Sequence, residues 1–300
     1  MFLPVAVLWL ICFFVGVFCD HDLARIIYRR NDIAAVALSV IGLYAYYGSF
    51  VFFFGVLCRQ LFNSAQRKLS KLLICIIFTY MALSTSTYGA AAILSDSVCG
   101  LLLEKVEHSL KAYLTSGLYL YLPLFPLGIL ANGKRHDRTF SRKMILLLTV
   151  MTIAPFSSYL IKYLVMRPRY RVAVEGYEGI GFVPVYEHLK NGRELRSLYD
   201  LKIDDLASFY SGHAMNATLC MVIFPFYAYV FRFLKGREKH LSVFAFIISV
   251  PIVISRMVLG DHYLSDISFG SLVGIVFGAL FRYLSIVFLG GNRIDACIKK

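Results

Sequence analysis

The sequence predicts an all-α fold, that of a polytopic integral membrane protein built as one domain. Of its 300 residues, 59% are hydrophobic and 16% are charged, whereas soluble domains average about 45–50% apolar and about 25% charged residues. The apolar residues gather into eight long runs, each about the length that crosses a bilayer as a helix. The net charge of +13 lies in short basic clusters between these runs. Such clusters favour contact with the lipid bilayer and its anionic headgroups, so no nucleic-acid partner is expected.

The eight apolar runs are predicted to be transmembrane helices. They lie at residues 2–19, 33–57, 72–94, 114–131, 144–161, 212–234, 241–259 and 264–288. The first run lacks the basic start and the A-x-A cleavage site of a secretory signal peptide, so we expect it to be retained as an anchor. We expect three regions: an N-terminal helix pair with a cytoplasmic loop at 1–71, a six-helix core at 72–288, and a cytoplasmic tail at 289–300.

The orientation follows from the lysines and arginines of the loops. Sixteen of them lie in one set of loops and five in the other. The basic set comprises 59–71, 132–143, 232–240 and the tail 289–300, and the other set comprises 20–32, 95–113 and 260–265. Because basic loops stay in the cytoplasm, both termini are predicted to be cytoplasmic. The long segment 162–210 and the stretch 255–266 then share the outer face.

Three polar patches interrupt the apolar pattern on this outer face. They read KYLVMRPRYR from Lys162, FYSGHAMNAT from Phe209 and SRMVLGDHYLSD from Ser255. A charged side chain in a membrane segment costs about 2.5–3.5 kcal/mol on insertion scales, so such residues usually mark a functional site. The three patches are therefore the candidate site.

The patches carry groups that suit a phosphoryl anion. Lys162, Arg169 and Arg256 are cations, and guanidinium groups match the geometry of phosphate oxygens. Ser211 and Gly212 stand at the predicted start of a helix, where free backbone N–H groups also attract anions. We expect these five residues to bind a substrate phosphate.

Two histidines and an aspartate supply the chemistry. His262 and Asp266 are four residues apart, so on a helix they share one face, and the carboxylate is expected to orient the imidazole. The other ring nitrogen is then free to act as a nucleophile. His213 is expected to protonate the departing oxygen. This set transfers a phosphoryl group without a metal ion, and we expect no cofactor.

In these motifs the chain resembles the type 2 phosphatidic acid phosphatase superfamily, which includes the bacterial lipid A phosphatases and glucose-6-phosphatase. The third motif of that family, Ser-Arg-x5-His-x3-Asp, is matched at every fixed position. These positions are Ser255, Arg256, His262 and Asp266. The second motif, Pro-Ser-Gly-His, is matched at 211–213, with Tyr210 in place of the proline.

The first motif of the family, Lys-x6-Arg-Pro, is matched from Lys162 to Arg169, with Tyr170 in place of the proline. Arg167 and Pro168 offer the Arg-Pro dipeptide in a shorter register, so Arg167 is a second candidate for the phosphate ligand. Other members of the family also read Arg-Pro-Arg here, which favours Arg169.

The resemblance implies a membrane lipid phosphatase. It covers about residues 72–288 as a six-helix phosphatase core, and it leaves the first two spans outside. It implies a phosphohistidine on His262, acid and base work by His213, and hydrolysis by water at the extracytoplasmic face. The membrane is expected to be a bacterial inner membrane, or that of the endoplasmic reticulum with a luminal site. Lipid A, undecaprenyl diphosphate, phosphatidylglycerophosphate and phosphatidic acid are the candidate substrates.

Two other functions remain open at this stage. The same site would serve a lipid phosphotransferase, because transfer to a second lipid passes through the same intermediate. A non-enzymatic transporter or binding protein for anionic lipid would use the same cations, although it has no need of an oriented imidazole.

Several residues also have structural interpretations. Arg167 and Arg171 could be headgroup anchors only, and Asp261 could cap the last helix instead of contacting substrate. The segment 171–210 could be a lid on the membrane surface or a plain surface excursion. The remaining histidines are expected to be packed core residues (His108, His136 and His240) or loop residues (His21 and His188).

Overall fold

The computed structural model describes residues 2–94, 109–131, 138–187 and 189–289, and within these ranges it contains helices and turns but no strand. The α-helices, in chain order, are α1 Phe2–Ile27, α2 Ile33–Ser64, α3 Lys68–Leu94, α4 Leu110–Ala131, α5 Arg138–Val165, α6 Tyr170–Ala173, α7 Gly192–Leu198, α8 Gly212–Ile223, α9 Pro225–Val230, α10 Glu238–Val258 and α11 Leu264–Leu289. Short 3-10 turns lie at Ile203–Leu206 and Arg232–Leu234.

Eight helical segments of the described ranges are long and apolar enough to cross a membrane, at the predicted places in the chain. The prediction of an all-α, multi-pass membrane protein is therefore confirmed. Large apolar side chains are exposed along these segments, as lipid-facing residues are; Phe18, Tyr119 and Phe288 are examples. The predicted division at residues 71 and 288 stays a prediction, and residues 290–300 of the tail lie outside the described ranges.

The helices differ from the apolar runs at their ends. Helix α1 continues to Ile27 and α2 to Ser64, because polar residues extend a helix beyond the lipid. The sixth predicted span, 212–234, is not one helix. It breaks at Phe224, because Pro225 has no N–H to donate to the preceding turn, and α9 begins there.

The chain divides into two compact units. The first comprises Met1–Gly42, Met151–Leu219 and Phe246–Ala279, and it contains all three polar patches. The second comprises Leu43–Val150, Cys220–Ala245 and Leu280–Lys300. In the second unit, Gly55 of α2 lies against the backbone of α4, and Gly128 of α4 lies against the backbone of α2. Small residues of this kind let two membrane helices approach closely.

The segment between α5 and α8 is folded around an apolar cluster of its own. Val172, Ile180 and Leu206 are buried together, with Met166 and Leu195 packed against them. The segment is therefore more than a surface excursion, and its backbone is fixed where it meets the polar patches.

Candidate active site

The end of helix α5 places the first patch. The helix ends at Val165, and Met166 takes the left-handed conformation, with φ of 50°. Pro168 follows two residues later, where a proline commonly stands after a helix end. Lys162 therefore stays on the last turn of α5, whereas Arg167 and Arg169 lie on the extended chain beyond it.

A single carboxylate, that of Asp261, joins three guanidinium groups. Asp261 Oδ1 lies 2.5 Å from Arg169 Nη1 and 3.0 Å from Arg171 Nε, and Asp261 Oδ2 lies 2.6 Å from Arg256 Nη2. Burial by itself raises the pKa of the Asp261 carboxyl, but Arg256, Arg169 and Arg171 together hold that pKa well below its usual range. Asp261 is therefore ionised, and it binds all three arginines.

A second row of carboxylates lies further out, on the turn Ile203–Leu206. Asp204 Oδ2 lies 2.6 Å from Arg169 Nη2, and its Oδ1 lies 3.9 Å from Lys162 Nζ. Asp205 Oδ1 accepts a hydrogen bond of 2.6 Å from Arg171 Nη2. The Asp204 side chain is 48% exposed and that of Lys162 is 15% exposed, so the cluster opens to the outside at this pair.

His262 is buried, and its tautomer is fixed. Its Nδ1 lies 2.7 Å from the backbone carbonyl oxygen of Ser208. Because a carbonyl oxygen only accepts, Nδ1 carries the proton and donates it, which leaves Nε2 with a free lone pair. The imidazole is thus held in the form that a nucleophile requires.

The surroundings of His262 also keep it neutral. Burial lowers the pKa of the imidazole, and the positive charges of Arg169, Lys162 and Arg256 lower it further, to well below its usual range. The residues that are expected to bind phosphate therefore lie close enough to His262 to act on it electrostatically. An uncharged Nε2 beside several cations can attack a phosphorus atom that those cations hold.

The spacing predicted a direct contact between Asp266 and His262, but the structure does not show one within hydrogen-bond distance. Its Oδ2 lies 4.0 Å from His262 Nδ1, beyond hydrogen-bond distance, and accepts hydrogen bonds from Ser208 Oγ at 2.5 Å and from Tyr263 N at 2.9 Å. The reason is that α11 begins at Leu264, so His262 lies before the helix and the i, i+4 geometry does not apply. Asp266 is therefore linked to the imidazole through Ser208.

Arg167 contacts a different pair of carboxylates from Arg169. It is completely buried, and its Nη1 lies 2.5 Å from Asp266 Oδ1. Its Nη2 lies 2.8 Å from Asp20 Oδ2, and its Nε donates to the carbonyl of Val183 at 2.8 Å. Arg167 is therefore not a headgroup anchor, and of the two candidate phosphate ligands it is Arg169 that shares the Asp204 carboxylate with Lys162.

The second patch forms the start of helix α8. Ser211 Oγ accepts a hydrogen bond from Ala214 N, so Ser211 caps the helix, and its own N–H donates to the carbonyl of Asp266. Gly212 and His213 follow in the first turn and are partly exposed. Helix α8 lies directly on α11, since a Cβ on Gly270 would collide with the carbonyl oxygen of Ser211.

Several residues of the site lie outside the three polar patches of the sequence. Asp20 and Ser39 come from α1 and α2, and Asp204, Asp205 and Ser208 come from the segment before α8. Asp20 could have been found, because an acid at the end of an apolar run is costly unless it has a partner. Ser208 acts partly through its backbone carbonyl, which no side-chain pattern reveals.

The other histidines are placed differently from expectation in two cases. His21 lies within helix α1, 5.0 Å from the ring of Phe182, and not in a loop. His240 is exposed at the start of α10 and is not a core residue, because a helix end rich in charges projects it outward. His108, His136 and His188 lie outside the described residues.

A pocket of about 220 Å³ adjoins the open side of the site. It is lined by cations and apolar side chains, namely Lys162, Tyr163, Met166, Arg193, Arg196, Ile203 and Leu206. Lys162 also belongs to the cation cluster, so the pocket continues from the place where a phosphate would lie. Across the described ranges, no group of three or more His, Cys, Asp or Glu side chains is arranged to hold a metal ion.

Of three comparisons with known proteins, one found a match. The family model of the PAP2 superfamily matches residues 143–287, which include all three patches. Neither a comparison with curated proteins nor one with solved structures found a match. The resemblance noted in the sequence is thereby confirmed, and membership implies phosphatase activity on a phosphorylated substrate. The match over residues 143–287 thus supports membership of this multi-pass membrane protein in the PAP2 superfamily.

Proposed function

We propose that the protein is a membrane lipid phosphatase that works through a phosphohistidine. The observation that carries the proposal is that His262 is neutral. Its Nδ1–H donates a hydrogen bond to the Ser208 carbonyl oxygen, and this leaves the lone pair on Nε2. The cluster of Lys162, Arg169 and Arg256 beside it supports the binding of a phosphoryl group.

The reaction has two steps. In the first, His262 Nε2 forms a bond to phosphorus while the bond from phosphorus to the lipid oxygen breaks, and His213 gives its proton to that oxygen. In the second, water attacks the phosphorus, His213 takes the proton of the water, and the bond from Nε2 to phosphorus breaks. The cations and the N–H groups at the start of α8 stabilise the charge on the phosphoryl oxygens in both steps.

The substrate enters from the extracytoplasmic side of a cytoplasmic membrane, or from the lumen of the endoplasmic reticulum. The positive pocket beside Lys162, with Arg193 and Arg196, supports a lipid with a polar or anionic headgroup. Lipid A, undecaprenyl diphosphate, phosphatidylglycerophosphate and phosphatidic acid all fit this description.

The test is phosphate release by the purified protein in detergent–lipid micelles, in chelator and without added metal, on each of these four lipids. We expect turnover of one of them by the wild type, loss of turnover in His262→Ala, and normal turnover in His240→Ala, which changes an exposed histidine. Acid-labile phosphate on the wild-type chain, absent from His262→Ala, would identify the intermediate.

Other outcomes separate the remaining functions. Formation of a new phospholipid from an added lipid acceptor, without free phosphate, would make the protein a phosphotransferase. Lipid binding without turnover or phosphoenzyme would contradict the enzyme and support a binding protein or transporter.

A further inference from the structure

We infer that Asp20, on the N-terminal helix α1, is a positioning residue for the nucleophile His262. This inference rests on the proposed phosphatase function. Helix α1 lies outside the region that matches the PAP2 superfamily, which begins at residue 143. Asp20 thus acts on the reaction from a part of the chain that the family model does not match.

A chain of four contacts joins the two residues. Asp20 Oδ2 lies 2.8 Å from Arg167 Nη2, and Arg167 Nη1 lies 2.5 Å from Asp266 Oδ1. Asp266 Oδ2 accepts from Ser208 Oγ at 2.5 Å, and the Ser208 carbonyl accepts from His262 Nδ1 at 2.7 Å. Every member of this relay is at most 2% exposed.

Asp20 is bound at both oxygens. Its Oδ1 accepts from the backbone N–H of Ser265 at 2.9 Å, and Ser265 Oγ donates to its Oδ2. Ser265 Oγ also accepts from Arg167 Nη1 at 2.9 Å. The carboxylate therefore fixes both the arginine and the start of α11, on which Asp266 stands.

Charge explains why the relay needs Asp20. Arg167 is a cation without solvent contact, and the two carboxylates of Asp20 and Asp266 share it. Removal of one partner from a buried ion pair is costly, because it leaves charge without compensation. Without Asp20, Arg167 keeps its hydrogen bond to the Val183 carbonyl but loses one of its two carboxylates. We expect its guanidinium group to move as a result, and the hydrogen bond between Asp266 and Ser208 to change with it.

Helix α2 supports the site in a second place. Ser39 Oγ accepts a hydrogen bond from Arg256 Nη1, and the linker between α1 and α2 donates from Arg29 N to the carbonyl of Val258 at 2.7 Å. Both N-terminal helices are therefore bonded to the residues of the third motif.

The test is Asp20→Asn, with Asp22→Asn as the matched control. Asp22 lies two residues further along α1, is 71% exposed and takes no part in the relay. The measured quantity is the single-turnover rate constant for phosphorylation of His262, since this constant does not depend on the fraction of active protein. We expect a loss of roughly 10–100-fold, as for other supporting residues, with KM unchanged, whereas Asp22→Asn keeps the wild-type constant.

A double variant decides whether Asp20 acts through Asp266. If it does, Asp20→Asn combined with Asp266→Asn is no slower than Asp266→Asn alone. Losses that multiply would mean an independent effect and would overturn the inference, as would a wild-type rate constant in Asp20→Asn.

If Asp20→Asn yields no folded protein, Gly16→Ala replaces it. A Cβ on Gly16 would lie 2.5 Å from Ser265 N and 3.0 Å from Asp20 Oδ1, so it disturbs the hydrogen bond between these two atoms without removing the charge of Asp20. We expect slower phosphorylation of His262, and an unchanged rate constant contradicts the inference.

No turnover in the wild type would refute the proposed function, and the inference with it. Turnover in the wild type with full rate in the variants would refute the inference alone.

Discussion

At the scale of single residues, the cations of the proposed phosphate site already contact carboxylates of the protein. Lys162, Arg169 and Arg256 contact Asp204 or Asp261, so a substrate does not meet bare cations. Asp261 is completely buried, whereas Asp204 is half exposed on a surface turn. The substrate phosphate is therefore expected to displace Asp204 and to leave Asp261 in place.

The first prediction concerns this competition. Asp204→Asn is expected to bind inorganic phosphate roughly fivefold more tightly, because a half-exposed ion pair is worth about 1 kcal/mol. The inhibition constant of phosphate can be measured by following the dephosphorylated lipid by chromatography. Asp200→Asn, an exposed change on the same segment, should leave the constant unchanged. Weaker phosphate binding in Asp204→Asn would mean that Asp204 supports Arg169 instead of competing.

The second prediction concerns pH and stability. The pKa of His262 is lowered in the folded protein, so between its usual value of about 6.5 and that lowered value the unfolded chain binds a proton that the folded one does not. Stability is therefore full above about pH 6.5 and falls as the pH drops below it. Asp261, whose pKa is also lowered, adds a second loss below about pH 3.8.

Thermal unfolding in detergent across a pH series measures this dependence. His262→Gln should lack the part of the loss that begins near pH 6.5, while the loss at lower pH persists. His240→Gln, at an exposed position, should follow the wild type. An equal slope in His262→Gln and wild type would show that the imidazole is not the group responsible.

At the scale of elements, the contact between α8 and α11 sets the distance between the helix that carries His213 and the helix that follows His262. A Cβ on Gly274 would lie 2.6 Å from the carbonyl oxygen of Met215, and Gly270 meets Ser211 in the same way one turn earlier. Both partners are backbone atoms, which cannot rotate aside. The glycines therefore let the start of α8, with His213, lie against the helix that carries Asp266.

Gly270→Ala is the third prediction. The added methyl group pushes α8 away from α11, and we expect a loss of about 1–3 kcal/mol in stability together with a large loss of turnover. Gly181→Ala is the control, because a Cβ there meets nothing within 4 Å. Thermal unfolding and phosphate release report the two effects. Wild-type turnover in Gly270→Ala would contradict the importance of this contact.

The positions of the membrane-spanning helices were largely predictable from the sequence, whereas the breaks within them were not. Hydropathy located all eight spans, because length and apolar content alone decide whether a helix crosses lipid. The break at Phe224 was missed because the apolar run continues through Pro225. The start of α11 at Leu264 agrees with the predicted run 264–288, but the expected pairing of His262 with Asp266 assumed a helix that also contains His262, and so the indirect link of Asp266 was missed.

The candidate site was predictable where the chemistry lies in side chains at fixed spacing. Arg256 and His262 were identified in this way, and their contacts bring them to one cluster. The partners that hold them could not be predicted, since Asp20, Ser39 and Asp204 come from distant parts of the chain. Their positions depend on how the helices pack, and no spacing in the sequence encodes that.

At the scale of the whole molecule, the fourth prediction is the side of the membrane on which the site lies. Lys190 is an exposed residue of the segment before α8, and Lys239 is an exposed residue at the start of α10. The distribution of basic loops predicts that they face opposite sides. A membrane-impermeant thiol reagent on intact cells should label Lys190→Cys and should label Lys239→Cys only after permeabilisation. The reverse pattern would place the site in the cytoplasm.

The relay from Asp20 to His262 also has a consequence for the order in which the protein is made. Helix α1 carries a carboxylate whose partners, Arg167 and Ser265, are synthesised more than 140 and 240 residues later. Until α11 is made, that carboxylate has Arg167 at most and lacks Ser265. We therefore expect ribosome-bound chains that stop before residue 265 to leave α1 open to chaperones and proteases.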